Sequence, residues 1–129
     1  MTLATRPIEI LRAAMEAVAY RFALVAGELD RFAPGARVVA SGNALRSSAI
    51  WTQIVADVLG RPLVLSDRKE ASTRGAALLA LEAAGKIDSI SDFSVSVATT
   101  FEPDMSCHER YQEGLKRQQH LYEQVFAKT

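Results

Sequence analysis

The residues best suited to chemistry sit in the junction Val38-Val39-Ala40-Ser41-Gly42-Asn43. A β-branched run that ends in Gly and feeds a helix capped by Ser47 or Ser48 leaves backbone N–H groups free beside a positive helix end. Glycine lets a nucleotide approach the backbone closely, and asparagine enters left-handed geometry more readily than most residues. An ordinary strand-to-helix turn has the same composition, so residue types alone leave both readings open. The junction carries neither Gly-Lys-Ser/Thr nor GxGxxG, so it is no Walker loop or dinucleotide fingerprint. A second candidate is Gly75-Ala76-Ala77 inside a helical stretch. Glycine there costs about 1 kcal/mol against alanine. Close packing by another element is the expected compensation, and contact with a ligand is the second reading.

The titratable side chains form no comparable constellation. His108 and His120 fall on different faces of the last helix, and Cys107-His108 lacks the ligand spacing of a zinc site. Neighbours on a helix project about 100° apart, which separates Cys107 from His108 as a nucleophile–base pair. Asp57, Glu70 and Glu82 are isolated carboxylates suited to capping, pairing or solvation, and Trp51 on an apolar face reads as core. No catalytic residue and no metal ligand is named.

The elements that must position the junction are legible from periodicity. Ile8, Leu11, Met15, Val18, Phe22, Val25, Leu29 and Phe32 alternate three and four apart, which predicts a helix over 8–32 with one apolar face. Pro7 suits its first turn and Pro34-Gly35 ends it. The spacing also fits a coiled-coil seam, but Ala13, Ala14, Ala17 and Ala19 widen the face, favouring a helix packed on a sheet or on other helices. Residues 37–41 read as a short buried strand and Gly42-Asn43 as a turn. The next helix presents Ile50, Trp51, Ile54, Val55, Val58 and Leu59, with Gly60 as its C-terminal cap. Residues 63–66 form a second strand, and an Ala-rich helix over 71–84 closes at Gly85. This order is α/β, most simply with parallel strands. Residues 93–101 alternate with a period of two, as an edge strand does. Ser106 and Glu109 form a capping-box signature for a last helix carrying Tyr111, Leu115, Leu121, Tyr122, Val125 and Phe126.

The chain has 129 residues, 15 Lys plus Arg against 15 Asp plus Glu, and 49% hydrophobic residues. That is one domain with ample core and none of the basic excess of a nucleic-acid or anionic-membrane binder. No apolar run approaches the ~20 residues of a membrane span. Early charges at Arg6, Glu9 and Arg12 interrupt any signal-peptide core, and the single cysteine fits a reducing cytoplasm.

The block Val38 to Leu45, followed by Trp51-Thr52-Gln53-Ile54-Val55-Ala56-Asp57-Val58-Leu59-Gly60-Arg61-Pro62, resembles the C-terminal signature of the FGGY-family carbohydrate kinases. Glu70-Ala71-Ser72-Thr73-Arg74-Gly75-Ala76-Ala77-Leu78-Leu79-Ala80 is similar to the family run E-[AS]-S-x-x-G-A-A-x-x-A. Arg12 to Tyr20 is similar to its preceding helix, RA-x-x-E-G-(I/V)-A-(F/Y), and Thr100 to Asp104 with Tyr111 to Tyr122 look like a gluconate-kinase-like tail. The resemblance implies part of an actin-like (ribonuclease H-like) ATPase domain, a few-stranded sheet with packed helices. Residues 1–129 would form a single partial domain, the C-terminal portion of domain II.

The resemblance also implies a function. The family's reaction is phosphoryl transfer from ATP, with Mg²⁺, to a sugar or sugar-acid hydroxyl of the gluconate or xylulose class. The matching turn places Gly42 and Asn43 at the nucleotide, with Ala44 and Ser47 as neighbours. The phosphate loop, the sugar pocket and the Asp general base belong to parts of the family outside this chain, so sugar binds only in the full-length enzyme and the chain alone is inactive. One position departs from the family: Gly-Gly is usual at the turn, and Asn43 stands second. Its side chain either obstructs the nucleotide or replaces a hydrogen bond. An alternative reading is a non-catalytic truncated α/β module, acting as a homodimer or in association with the missing kinase half. No nucleic-acid or membrane partner is expected.

Overall fold

The computed structural model describes residues 4–68, 70–93 and 97–126. In chain order the elements are α1 (Pro7–Leu29), β1 (Val38–Ala40), α2 (Asn43–Arg46), α3 (Ala49–Leu59) and β2 (Leu63–Ser66). They continue with α4 (Ala71–Ala83), a 3₁₀ turn (Ile90–Asp92), β3 (Val97–Phe101) and α5 (Met105–Phe126). The strands form one sheet in the order β1-β2-β3. β1 and β2 run parallel, pairing Val38 with Leu63 and Ala40 with Leu65, as their helical crossover requires. β3 runs antiparallel to β2, opposing Val64 with Thr100, and takes the edge expected for its alternation. Of the stretch 93–101, residues 94–96 lie outside the described residues, and Phe93 ends the 3₁₀ turn instead of joining the strand.

Local chemistry explains most of these boundaries. Pro7 occupies the first turn of α1, where its missing N–H is no loss. Ser48 caps α3 by accepting the N–H of Trp51 at 3.2 Å. Gly60 ends α3 in left-handed geometry, with φ +65°. The start of α5 departs from the expected capping box. Asp104, not Ser106, accepts the N–H of Ser106 at 2.9 Å and its hydroxyl at 2.7 Å. These hydrogen bonds, with one from the Cys107 N–H, hold the Asp104 carboxyl below the usual range. Asp104 stands one residue outside the helix, where its carboxylate reaches free N–H groups of the first turn, whereas Ser106 is already inside.

The core gathers Ala19, Ala40, Ile54, Val55, Val58, Leu63 and Tyr111 around α3, which is enclosed by α1, the sheet and α5. Ile50 belongs to the expected apolar face of α3, yet it is exposed, while Thr52, about 200° round the same turn, is fully buried. α5 is tied to α1 by a polar cluster: Arg12 Nη2 donates to Tyr111 Oη at 3.2 Å, and Arg12 Nε pairs with Glu16 at 2.9 Å.

α1 corrects the reading of its amphipathic pattern. It packs on the body through Ala19 and Ala23, flanked by Met15 and Tyr20, while most of the large apolar stripe faces outward. Phe22, Val25, Leu29 and Phe32 border an open groove of about 580 Å³ that runs beside β1. β1 is the last strand of the described sheet on that side, so among the described residues no further strand lies beneath this stripe.

Candidate functional site

β1 and β2 are parallel, so the β1–α2 and β2–α4 connections open on the same edge of the sheet, at the carboxyl ends of both strands. Open α/β sheets bind ligands at that edge. Gly42 forms the first connection with φ +95° and ψ 156°, a conformation that L side chains rarely adopt. A Cβ added there meets no atom within 4 Å, so the turn is open to solvent on that side. Asn43 and Ala44 are exposed, and among the described residues no side chain caps the first turn of α2. Asn43 takes no positive φ; α2 begins with it, and Gly42 alone carries the unusual geometry.

Three side chains hold this turn in place. Ser47 Oγ donates to the carbonyl of Asn43 at 2.6 Å and reaches that of Ala44 at 3.3 Å, so its hydroxyl braces the turn from within. Arg46 Nη1 donates to the carbonyl of Ser66 at 2.6 Å, tying α2 to the carboxyl end of β2. Thr52, fully buried on α3, donates to the carbonyl of Leu45 at 2.8 Å. Nothing in the sequence marks Arg46 for this part. Thr52 does carry a signal, a hydroxyl one helical turn after the capping Ser48 on an otherwise apolar face, which apolar periodicity alone does not register.

Gly75 sits in α4, on the connection that opens at the same sheet edge. The packing expected around it is absent: a Cβ there meets nothing within 4 Å. α4 buries no residue and touches chiefly the following 3₁₀ turn, so its small residues face open space among the described residues. Asp57 plays the structural part expected of an isolated carboxylate, accepting from Gln53 Nε2 at 2.7 Å and from the Asp104 N–H at 2.8 Å. His108 lies 2.8 Å from the Asp57 carbonyl through Nδ1, and that contact requires the proton on Nδ1. His120 is far along the same helix, against Gln124 at 2.9 Å. Trp51 packs on the core as expected, with its buried Nε1 unpaired among the described residues. No three His, Cys, Asp or Glu side chains converge among the described residues, and none of the described helices is long and apolar enough to cross a membrane.

The sequence model of the FGGY family of carbohydrate kinases, C-terminal domain, matches residues 1–84. A gluconokinase from Bacillus licheniformis is 34% identical over 102 residues, 78% of this chain and 20% of that protein. The crystal structure of xylulose kinase from Rhodospirillum rubrum superposes with a TM-score of 0.76 at 29% identity, covering 97% of this chain and 26% of that one. Gluconate kinase from Lactobacillus acidophilus gives a TM-score of 0.79 at 20% identity, a likeness of fold. The chain spans about a fifth of the length of the curated relatives and about a quarter of the solved ones.

Proposed function

The chain belongs to the FGGY family of carbohydrate kinases, and from that premise we propose that it is the nucleotide-facing, C-terminal portion of domain II of an ATP-dependent sugar kinase. It has the actin-like α/β fold of its structural neighbours, built on the small β1-β2-β3 sheet. The observation that carries the reading is Gly42: a glycine-only backbone angle, open space above it, and a position at the carboxyl end of a parallel strand. In this reading the backbone of Gly42, Asn43 and Ala44 receives the adenosine and phosphates of ATP. Ser47 and Arg46 act by holding the turn, through the hydrogen bonds that each gives to a backbone carbonyl. The exposed Asn43 side chain replaces the contact that a second glycine would leave to the backbone.

ATP fits the open turn, whereas Mg²⁺ has no cluster of carboxylates to hold it among the described residues. Mg²⁺ commonly binds through one or two carboxylates and the substrate's own phosphates, so in this proposal it arrives with the nucleotide. Phosphoryl transfer also needs a positioned sugar hydroxyl and its base. The transfer to a gluconate- or xylulose-class hydroxyl therefore takes place in a full-length enzyme, in the cytoplasm, and the chain alone is inactive.

Isothermal titration of the purified chain with Mg·ATP and Mg·ADP tests the reading. Saturable binding that Gly42→Val abolishes, with the circular dichroism unchanged, is the expected result. Absence of binding overturns a nucleotide site on this chain, and turnover of gluconate or xylulose by the chain alone overturns its inactivity. A second reading, self-association, is favoured by the uncovered apolar stripe of α1.

A further inference from the structure

On the flank of α1 away from its apolar stripe, α1 and α5 form a groove of about 460 Å³. Tyr20 lies about 200° round the helix from Val18, so this groove and the open edge of β1 are on different sides of α1. Both walls belong to the described residues: Arg12, Glu16 and Tyr20 on α1, and Arg110, Glu113 and Arg117 on α5. Spacing explains the gathering. The first three fall four apart and the second three fall three and four apart, so each trio shares one flank of its helix. Gly114 is buried beside them, with the Tyr20 hydroxyl where a Cβ would stand. That missing Cβ lets the two helices approach and sets the floor of the groove.

The charges in the groove are matched unequally. Arg12 Nε pairs with Glu16 at 2.9 Å and Arg12 Nη2 donates to Tyr111 Oη at 3.2 Å, so Glu16 is already satisfied and Arg12 is held in place. Arg110 and Arg117 line the same groove and form no hydrogen bond or ion pair among the described residues. Each presents a planar fork of N–H donors, the geometry that matches a carboxylate or a phosphate. Burial raises the pKa of Tyr20 and Tyr111 above the ordinary 10, so both hydroxyls stay protonated at neutral pH. From this excess of donors we propose that the α1–α5 groove binds a small metabolite through its phosphate or carboxylate oxyanions, with Arg110 and Arg117 as the principal contacts. The volume suits a ligand of that size. None of the lining residues belongs to the Gly42 turn, so the site is independent of the nucleotide reading. Glu113 stands between the two arginines as an opposing charge, and its removal therefore tests the sign of the ligand.

Isothermal titration of the purified chain with inorganic phosphate and, separately, with citrate at fixed ionic strength tests the site. Saturable binding of at least one probe, with a Kd of about 1 mM or below, is expected, and the tighter of the two identifies the oxyanion. Arg110→Gln and Arg117→Gln each raise that Kd about fivefold. The two together abolish binding and leave the circular dichroism unchanged, because both side chains are exposed. Glu113→Gln lowers the Kd about threefold, a gain that loss of structure does not produce. Gly42→Val leaves binding in place. Failure of both probes to bind overturns the proposal, as does binding that survives the double arginine substitution. Binding lost in Gly42→Val overturns it too, and puts the anion at the turn instead.

Discussion

Helices α1 and α3 carry the same signal in sequence and meet opposite fates. Ile54, Val55 and Val58 of α3 are 5, 3 and 1% exposed. Phe22, Val25 and Leu29 of α1, spaced just as regularly, stand largely in water. α3 lies between α1, the sheet and α5, so nearly every apolar side chain it offers beyond its first turn finds a neighbour. α1 uses its alanines to lie close to α3, and that close approach turns the larger side chains to the side, past the last described strand. Hydrophobic periodicity therefore reports which face loses free energy in water. It does not report whether the covering surface belongs to the same chain.

The comparison is broken if truncating the two faces proves equally costly. Ile54→Ala is expected to lower the folding free energy by about 2–5 kcal/mol, through lost burial and the cavity left behind. Val25→Ala in dilute solution, below the range of any dimer, is expected to stay within about 0.5 kcal/mol of the parent. Urea denaturation of both variants checks this pair.

A smaller effect separates two glycines. Gly60 holds φ +65°, and a Cβ there lies 2.5 Å from His108 Cε1. Gly60→Ala is expected to cost about 1–3 kcal/mol for the strained backbone and displaced ring. Gly75 is helical and surrounded by open space, so Gly75→Ala is expected to stabilise by up to about 1 kcal/mol. Thermal melts of the two variants should therefore shift in opposite directions. A fall in both would mean that something packs on α4.

The smallest effect separates the two helix caps by their response to acid. Ser48 does not titrate in this range, whereas Asp104 caps α5 with a carboxylate. The Ser106 hydroxyl, and then the N–H groups of Cys107 and Ser106, hold its folded pKa below the ordinary 3.8. A depressed folded pKa contributes stability that is present above the unfolded value and is lost as pH falls through the folded one. The start of α5 should therefore weaken as pH falls below the ordinary carboxylate value of 3.8, while the start of α3 is untouched. Amide exchange at Cys107 and Trp51 compares them, and Asp104→Asn should remove the pH dependence at Cys107.

The candidate site is legible in the sequence to an uneven degree. Gly42 stands out because a positive φ at a strand end leaves little choice but glycine, and that is a property of one residue. The bracing by Arg46 is not legible, because its partner is the carbonyl of Ser66, and backbone carbonyls carry no residue signature. Gly75 invites a packing explanation from its cost in a helix, yet its surroundings are set by elements distant in sequence. Sequence pattern puts the cap of α5 two residues late, since both Ser106 and Asp104 are good capping residues and only the backbone path decides between them.

The sequence by itself determined the order of the longer helices and the strands, the cap at Gly60, and the family of the chain. These rest on short-range chemistry: side-chain periodicity, φ preferences and hydrogen bonds reaching a few residues. Tertiary structure alone decided that α1 packs by its alanines and leaves its largest side chains outside, that Asp57 fastens α3 to the start of α5, and that the Gly42 turn is anchored to β2 by Arg46. Each of these depends on which surfaces meet across a long stretch of chain, and burial is a property of the pair of surfaces, not of either one.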